Sequence, residues 1–520
     1  VALVHTLVVL ILCAVALGWA ARRMDVPYPI ALVIGGTALS FLPGLPQVEF
    51  DPNLVLVVVL PPILYQAALA TSWRDFRANL RPISLLAVGL VITTTVVVAG
   101  VVKFVVPEMP WAVAFVLGAI VSPPDAVAAT AVLSRMSMPR RIVTILEGES
   151  LVNDASGLVL YKFALAAALT GTFSLVDGTW RFVFVAIGGL AVGYLIGRLF
   201  VFIHDRLHDS LAEILFSLVL PYTAYLAAES LHVSGVLAVV AAGLVRGRFA
   251  PERFSAQSRL LAHSTWSIVV FLLNCLVFIL IGLQLGPVMG RLAGDGAMAL
   301  AGYALVTVFA TILVRFLWVY PAAWLPRFLW SRLRESDPMP GWRSLFAISW
   351  CGMRGIVSLA AALAIPFTLD DGTPFPQRDL VIFLTVAVIF GTLVLQGLTL
   401  APIIRRLGIG ADWDAFEEQR LARTQITRAA LEEIERFAKA SHLSEEDLAA
   451  VSADYRARLR GWSAHGLIST TADDPKPLRR AALAAERAEL IRLWRDALIS
   501  DEVLHEVERE LDLEEARLGH

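Results

Sequence analysis

Apolar stretches long enough to cross a bilayer recur along the first four hundred residues, and the loops between them alternate in charge. A crossing helix needs about 20 mostly apolar residues. The pattern predicts thirteen spans, at 2–20, 27–43, 53–71, 82–106, 110–134, 142–169, 180–203, 211–228, 231–246, 264–286, 297–321, 343–366 and 379–404. The odd-numbered loops are rich in arginine, as at Arg22/Arg23, Arg74/Arg77/Arg81, Arg135/Arg140/Arg141, Arg198/Arg206, Arg246/Arg248/Arg253/Arg259 and Arg327/Arg332/Arg334/Arg343. The even-numbered loops are nearly free of Lys and Arg, with Arg291 and Arg378 the clearest exceptions. Several are acidic, as at Glu49/Asp51 and Asp370/Asp371. Cytoplasmic loops carry the positive excess. The N-terminus is therefore expected outside and the C-terminal segment inside. The first twenty residues resemble a signal peptide, but no basic segment precedes them and Arg22 and Arg23 follow. They read as a retained first span.

Composition agrees. Hydrophobic residues make up 57% of the chain and charged residues 17%, against about a quarter charged in soluble domains. An integral membrane protein is expected. Residues 1–407 carry 27 Lys+Arg against 21 Asp+Glu, and the remainder 16 against 24. That shift marks a domain boundary near Gly408, between a membrane domain (1–407) and a cytosolic helical domain (408–520). Cys13, Cys275 and Cys351 all lie in apolar runs without metal-ligand spacing and read as small core residues.

Two spans are interrupted. Span five contains Ser122-Pro123-Pro124-Asp125, and span twelve contains Cys351-Gly352-Met353-Arg354-Gly355. Such breaks free backbone groups near the midplane, which only a protein-lined cavity tolerates. The offset of seven between them reverses direction, so spans 1–6 and 8–13 read as inverted repeats linked by span seven. Paired broken helices are a pointer to a transporter's binding site.

Ionisable residues gather at the same depth. Counting ~1.5 Å per residue, Asp154 lies about 18 Å into span six, Asp125 about 22 Å into span five and Arg354 about 17 Å into span twelve. A carboxylate there costs at least about 2.5 kcal/mol and needs a function. Ser150 and Asp154 are four apart and share a helix face. Asp154, Ser150 and carbonyls freed at Ser122–Pro124 would offer the oxygen ligands that monovalent cations take. Asp154 would carry either a proton or a cation, and competition for one carboxylate is exchange. Asp125 reads as a second acid or as a cap at the break. Glu149 and Arg315, in the same half of the membrane, are expected to pair for structure. Arg354 reads either as a counter-charge or as support for the break. Glu147 is expected nearer the interface, Lys162 as snorkelling or paired, and Glu229 as exposed.

Three motifs in order carry a resemblance. Glu149-Ser-Leu-Val-Asn-Asp154, Gly352-Met-Arg-Gly355 and Leu60-Pro-Pro-Ile-Leu64 resemble the monovalent cation:proton antiporter-1 family, the NhaP/NHE-type sodium/proton exchangers. The resemblance covers nearly all of 1–407. It implies a thirteen-helix inverted-repeat fold, a homodimer, and alternating access with a core bundle moving against a scaffold. It implies Asp154 as the cation/proton carboxylate, Asn153 as its structural partner, Ser150 as a further ligand, Asp125 as the acid of the first broken helix, and Glu149–Arg315 as a stabilising pair. Pro123, Pro124, Gly352, Gly355 and Arg354 would support the breaks. Two positions depart from the pattern: Pro124-Asp-Ala126 replaces the common Thr-Asp-Pro, and Gln66 stands where an acid is common. Sodium is the expected ion, with lithium as an alternative, and the lower oxygen and charge content at these two positions makes potassium a real alternative.

The Asn153-Asp154 pair suggests one-for-one electroneutral exchange. The expected setting is the plasma (inner) membrane, with a role in pH and cation homeostasis. No enzyme activity, resident cofactor or nucleic-acid partner is expected. A cation channel is the rival class, but no pore-lining ring is visible. An intramembrane aspartyl protease would need Gly-x-Gly-Asp, and Asp154 follows Leu-Val-Asn.

The C-terminal segment predicts helices over 413–440, 445–462 and 478–517, with Ser444 as a helix start. It reads as a small cytosolic domain or a sensor of pH or ligand. His442, His465, His505 and His520 are candidates for titration.

Overall fold

A computed structural model describes residues 2–24, 26–41, 55–133, 136, 138–171, 175–204, 206–207, 209–292, 296–369, 372–409, 413–441, 445–460 and 476–518. Glu49, Asp51, Arg135, Asp370 and Asp371, used in the loop argument, lie outside these residues, as do His442, Ser444, His465 and His520. Among the described residues the fold is helical, with one isolated bridge between Thr368 and Pro374. Among the described residues, seven helices are long and apolar enough to cross a membrane by length and composition: Leu80–Val105, Arg140–Thr170, Trp180–His204, Ser210–Ser230, Ala256–Arg291, Ala297–Leu329 and Arg378–Leu407. Shorter apolar helices lie at Tyr28–Ser40, Leu56–Ala70 and Trp111–Val121.

The two expected breaks are present. Span five is split into Trp111–Val121 and Ala126–Leu133, and span twelve into Trp342–Trp350 and Ile356–Leu363. Two further irregularities were not anticipated. Val55–Val59 and Leu85–Leu90 are wide π-type turns. A wide turn leaves carbonyls off the regular ladder. In the second, Ala87 O accepts from Ser156 Oγ at 2.6 Å and Leu85 O accepts from Trp318 Nε1 at 2.9 Å. Span four is thereby stitched to spans six and eleven.

The chain forms two compact units. The first comprises Val1–Ile203, Ser217–Gly247 and Ser267–Ala411; the second comprises His204–Phe216, Arg248–Trp266 and Asp412–His520. In the first, the central tie is ionic. Arg315 is fully buried and donates to both oxygens of Glu149, at 2.5 and 2.7 Å, while its Nε donates to Ile348 O at 3.0 Å. Two charges out of water survive only in such paired, hydrogen-bonded geometry.

The second unit is a helical bundle. Trp413–Ser441, Glu445–Arg460, Lys476–Arg495 and Asp501–Leu518 pack around Ile426, Ile434, Tyr455, Leu490 and Val507. The single helix expected over 478–517 is two. Ala497 adopts φ 57°, and Leu498 N donates back to Leu493 O at 3.0 Å. This is a left-handed helix stop. Ser500 then starts the next helix, its Oγ accepting from Val503 N at 3.4 Å.

Buried charge in this bundle follows one rule. Arg458 lies 2.6 Å from Glu514 and 3.5 Å from Glu486, whose Oε2 has no partner among the described residues. Arg259 holds both oxygens of Asp512 and lies 3.5 Å from Glu508. Each of these arginines thus faces two acids, and Arg487 also reaches Asp512, at 2.8 Å. Burial pushes Glu486 up to about 8 and Glu508 up to about 7, against the pull of Arg458 and Arg259. Near neutrality Glu486 therefore keeps its proton, and Glu508 is close to half protonated.

Two predictions follow from these contacts. Arg315→Ala or Glu149→Ala strands a buried charge and should cost about 3–5 kcal/mol. The double change Glu149→Leu/Arg315→Met should melt closer to wild type than either single variant, by thermal unfolding of the purified protein. Unfolded Glu486 ionises near its ordinary 4.5, whereas the folded residue holds its proton to about 8. Its contribution to stability is therefore lost as pH rises across that window. Amide-exchange protection of Lys476–Arg495 should fall between pH 6 and 8.5, and Glu486→Gln should flatten that fall.

Candidate functional site

The two broken helices cross within the first unit and satisfy each other. Asp125 N–H donates to Met353 O at 2.7 Å. Arg354, fully buried, donates from Nε to Val121 O at 2.9 Å, from Nη2 to Ser122 O at 3.5 Å and from Nη1 to Gly352 O. Its own N–H donates to Thr392 Oγ1 at 3.1 Å. Of the two roles open to Arg354, these contacts are those of a support for the breaks. The carbonyls of such interruptions have no water to meet, so a guanidinium with five donors is a fitting partner.

Asn153 is also fully buried, and its Nδ2 donates to Pro124 O at 2.9 Å. It fastens span six to the break in span five. The carbonyls of Ser122 and Pro124, expected to serve as cation ligands, are thus engaged by Arg354 and Asn153. Asp125 performs cap duty: its Oδ1 accepts from Val127 N at 2.8 Å. It also packs on Gly355, where a Cβ would stand 1.7 Å from Asp125 Oδ2. Gly352 is similarly closed, with a Cβ meeting Arg315 Cδ at 2.8 Å. Neither glycine has positive φ, so space rather than backbone freedom requires them. On span six, Gly157 lets Pro123 approach, since a Cβ would meet its ring at 2.9 Å.

A cavity of about 350 Å³ opens beside this crossing. Asp154, Asp125, Ser150, Pro123, Pro124 and Gly355 all line it. Asn153, Glu149, Arg315 and Arg354 stand behind its wall, bound to one another or to backbone. The cavity also reaches Glu147, Gln66, Ala70 and Thr130. These lie within two or three turns of Arg140, Arg74 and Arg135 in sequence, so it extends toward the arginine-rich ends of the helices. Glu147, expected at the interface, is part of this lining. Lys162 lies at the surface, 3.9 Å from Glu229.

Sequence reasoning missed Tyr28 and Asn274, both of which line the cavity. Asn274 had a visible signal: an amide inside the apolar run Phe271-Leu-Leu-Asn-Cys-Leu-Val277. Tyr28 lies between Pro27 and Pro29 at the start of a helix, with no comparable signal.

The arrangement has a clear chemical capacity. The nearby guanidiniums are committed, Arg315 to Glu149 and Arg354 to carbonyls. Three carboxylates, Asp154, Asp125 and Glu147, line the cavity, with the Ser150 hydroxyl among its neutral oxygens. Hard monovalent cations and protons compete for such oxygens.

Comparison with known proteins agrees with this geometry. The family described as sodium/hydrogen exchanger, transmembrane, matches residues 8–406. An uncharacterised Na(+)/H(+) exchanger of Mycobacterium tuberculosis is 36% identical, over 98% of this chain and 95% of that protein. A sodium, potassium, lithium and rubidium/H(+) antiporter of Bacillus subtilis is 40% identical, over 73% of this chain and 58% of its own length. Among solved structures, the sodium proton antiporter MjNhaP1 from Methanocaldococcus jannaschii aligns with a TM-score of 0.62 at 18% identity, covering 78% of this chain and 98% of that one. That likeness is one of fold. The chain belongs to the sodium/hydrogen exchanger family.

Proposed function

We propose that this protein is a secondary active antiporter that exchanges a monovalent cation for a proton by alternating access. The observation that carries the reading is the placement of Asp154 with Asp125 and Ser150 on one cavity wall at the crossing of two broken helices. Asp154 holds either the proton or the cation. Loading one expels the other, and the membrane sees exchange. Asp125 shapes the site from the first break, and Ser150 adds a neutral oxygen one turn before Asp154.

Sodium is the first substrate in this reading. The Bacillus relatives are named as antiporters of sodium, potassium, lithium and rubidium, which supports a broad monovalent range here. Potassium is not favoured over sodium. Gln66 on the cavity wall gives the site one negative charge fewer than an acid there would. With Asn153 uncharged beside Asp154, one carboxylate titrates per cycle and exchange is electroneutral.

The arginine-rich loops belong to the cytoplasmic side of the plasma membrane. The N-terminus is then outside, residues 408–520 are cytoplasmic, and the cavity opens inward. The protein works as a homodimer in pH and cation homeostasis, with no resident cofactor and no catalysis. Glu486 and Glu508, both raised into the neutral range by burial, support a regulatory, pH-responsive role for the C-terminal domain. A channel would conduct without proton coupling, and the two breaks with buried acids support exchange instead.

The test is dissipation of a pH gradient in everted vesicles on adding NaCl, KCl or LiCl. Wild type should respond to at least one cation, and Asp154→Asn should respond to none. An unresponsive wild type would sink the reading. In proteoliposomes the rate should stay unchanged under an imposed membrane potential; a rate that follows the potential would contradict electroneutrality.

A further inference from the structure

Three arginines from three spans meet on one carboxylate in the first unit. Arg81 Nη2 and Arg327 Nη2 each lie 2.7 Å from Asp337 Oδ2, and Arg141 Nη2 lies 2.7 Å from Oδ1. They come from the arginine-rich ends of spans four, eleven and six. One negative charge faces three positive charges, so the cluster keeps a net charge of +2. Like charges this close repel, and an anion in addition to Asp337 would offset that repulsion.

The cluster has room and donors for one. Arg327 is fully committed, with Nε on Asp337 O at 2.9 Å and Nη1 on Ala323 O at 2.6 Å. Arg81 is not: its Nη1 is buried and has no partner among the described residues. The Arg141 side chain is 45% exposed, with Nε on Asn79 Oδ1 and Nη2 on Asp337. A small cavity of about 50 Å³ is lined by these three arginines and by apolar residues such as Leu86 and Val319.

The chain around the cluster says which anion. Leu80 adjoins Arg81, and Trp324 and Phe328 flank Arg327; all three are about half exposed or more. The Trp324 and Phe328 rings stack at 4.8 Å. Exposed aromatics at the ends of apolar spans sit at headgroup level, and basic pockets between helices at that level take anionic headgroups. We propose that Arg81 and Arg141, beside Asp337, bind the phosphate of an anionic phospholipid whose acyl chains lie along Leu80, Trp324 and Phe328. The site adds an anion to the hub that gathers the end of the Asp154 helix with spans four and eleven.

The test uses the purified full chain in mixed micelles of phosphatidylglycerol and phosphatidylcholine, read by native mass spectrometry. Wild type should retain phosphatidylglycerol preferentially. Arg81→Gln and Arg141→Gln should each lower that preference by about fivefold. Asp337→Asn removes the competing carboxylate and should raise it, a change of opposite sign that loss of folding would not mimic. Equal retention of both lipids by wild type, or an unchanged preference in Arg141→Gln and Asp337→Asn, would overturn the proposal. Inorganic phosphate is the second arm. Thermal stabilisation by millimolar phosphate equal to that by phosphatidylglycerol would also overturn it, because the site would then take a free anion rather than a lipid.

Discussion

Two interrupted helices meet in the interior of an apolar bundle, where no bulk water can pair their backbone groups. Everything about the site follows from how that debt is met. Arg354 spans the crossing and takes carbonyls from both breaks. Asn153 takes a third, from Pro124, and Asp125 links the two segments through Met353 O. Removal of any one partner leaves a buried polar group whose desolvation costs about 1–3 kcal/mol. The glycines at 352 and 355 belong to the same solution, because any side chain there would collide with Arg315 or Asp125.

Once the backbone is satisfied, the charges sort themselves. Glu149 and Arg315 neutralise each other, and Arg354 is spent on carbonyls. Asp154 and Asp125 remain on the cavity wall, with Glu147 nearer its arginine-rich end. A rigid frame with a free carboxylate at its centre is what competition between a proton and a cation needs. The frame is braced at several depths: at Asp337, at Glu149–Arg315, and at the wide turn where Ser156 reaches Ala87. Span six, which carries Asp154, is therefore tied to spans four and eleven at each of these places.

Much of this was legible in the sequence, for definite reasons. Span positions and the two breaks follow from hydropathy, Pro123-Pro124 and the Gly352/Gly355 pair, which are local signals. The pairing of Glu149 with Arg315 could be read from depth, since both lie in the same half of the membrane and a buried charge needs a partner. The wide turns at 55–59 and 85–90 could not be read, because apolar residues give no sign of hydrogen-bond register. The split of the last helix was signalled by Ser500-Asp-Glu, but the stop rests on Ala497 in a left-handed conformation that alanine seldom adopts. The preference of Arg354 for carbonyls over Asp125 depends on three-dimensional reach. So does the capture of Ser122 and Pro124 carbonyls that had been expected to face the cation.

The central claim is that one carboxylate, Asp154, binds proton and cation in turn. The most direct measurement is proton release from the purified protein in weak buffer when NaCl or RbCl is added. The account predicts release approaching one proton per bound cation in wild type, and none in Asp154→Asn. Release from Asp154→Asn equal to that of wild type would contradict it.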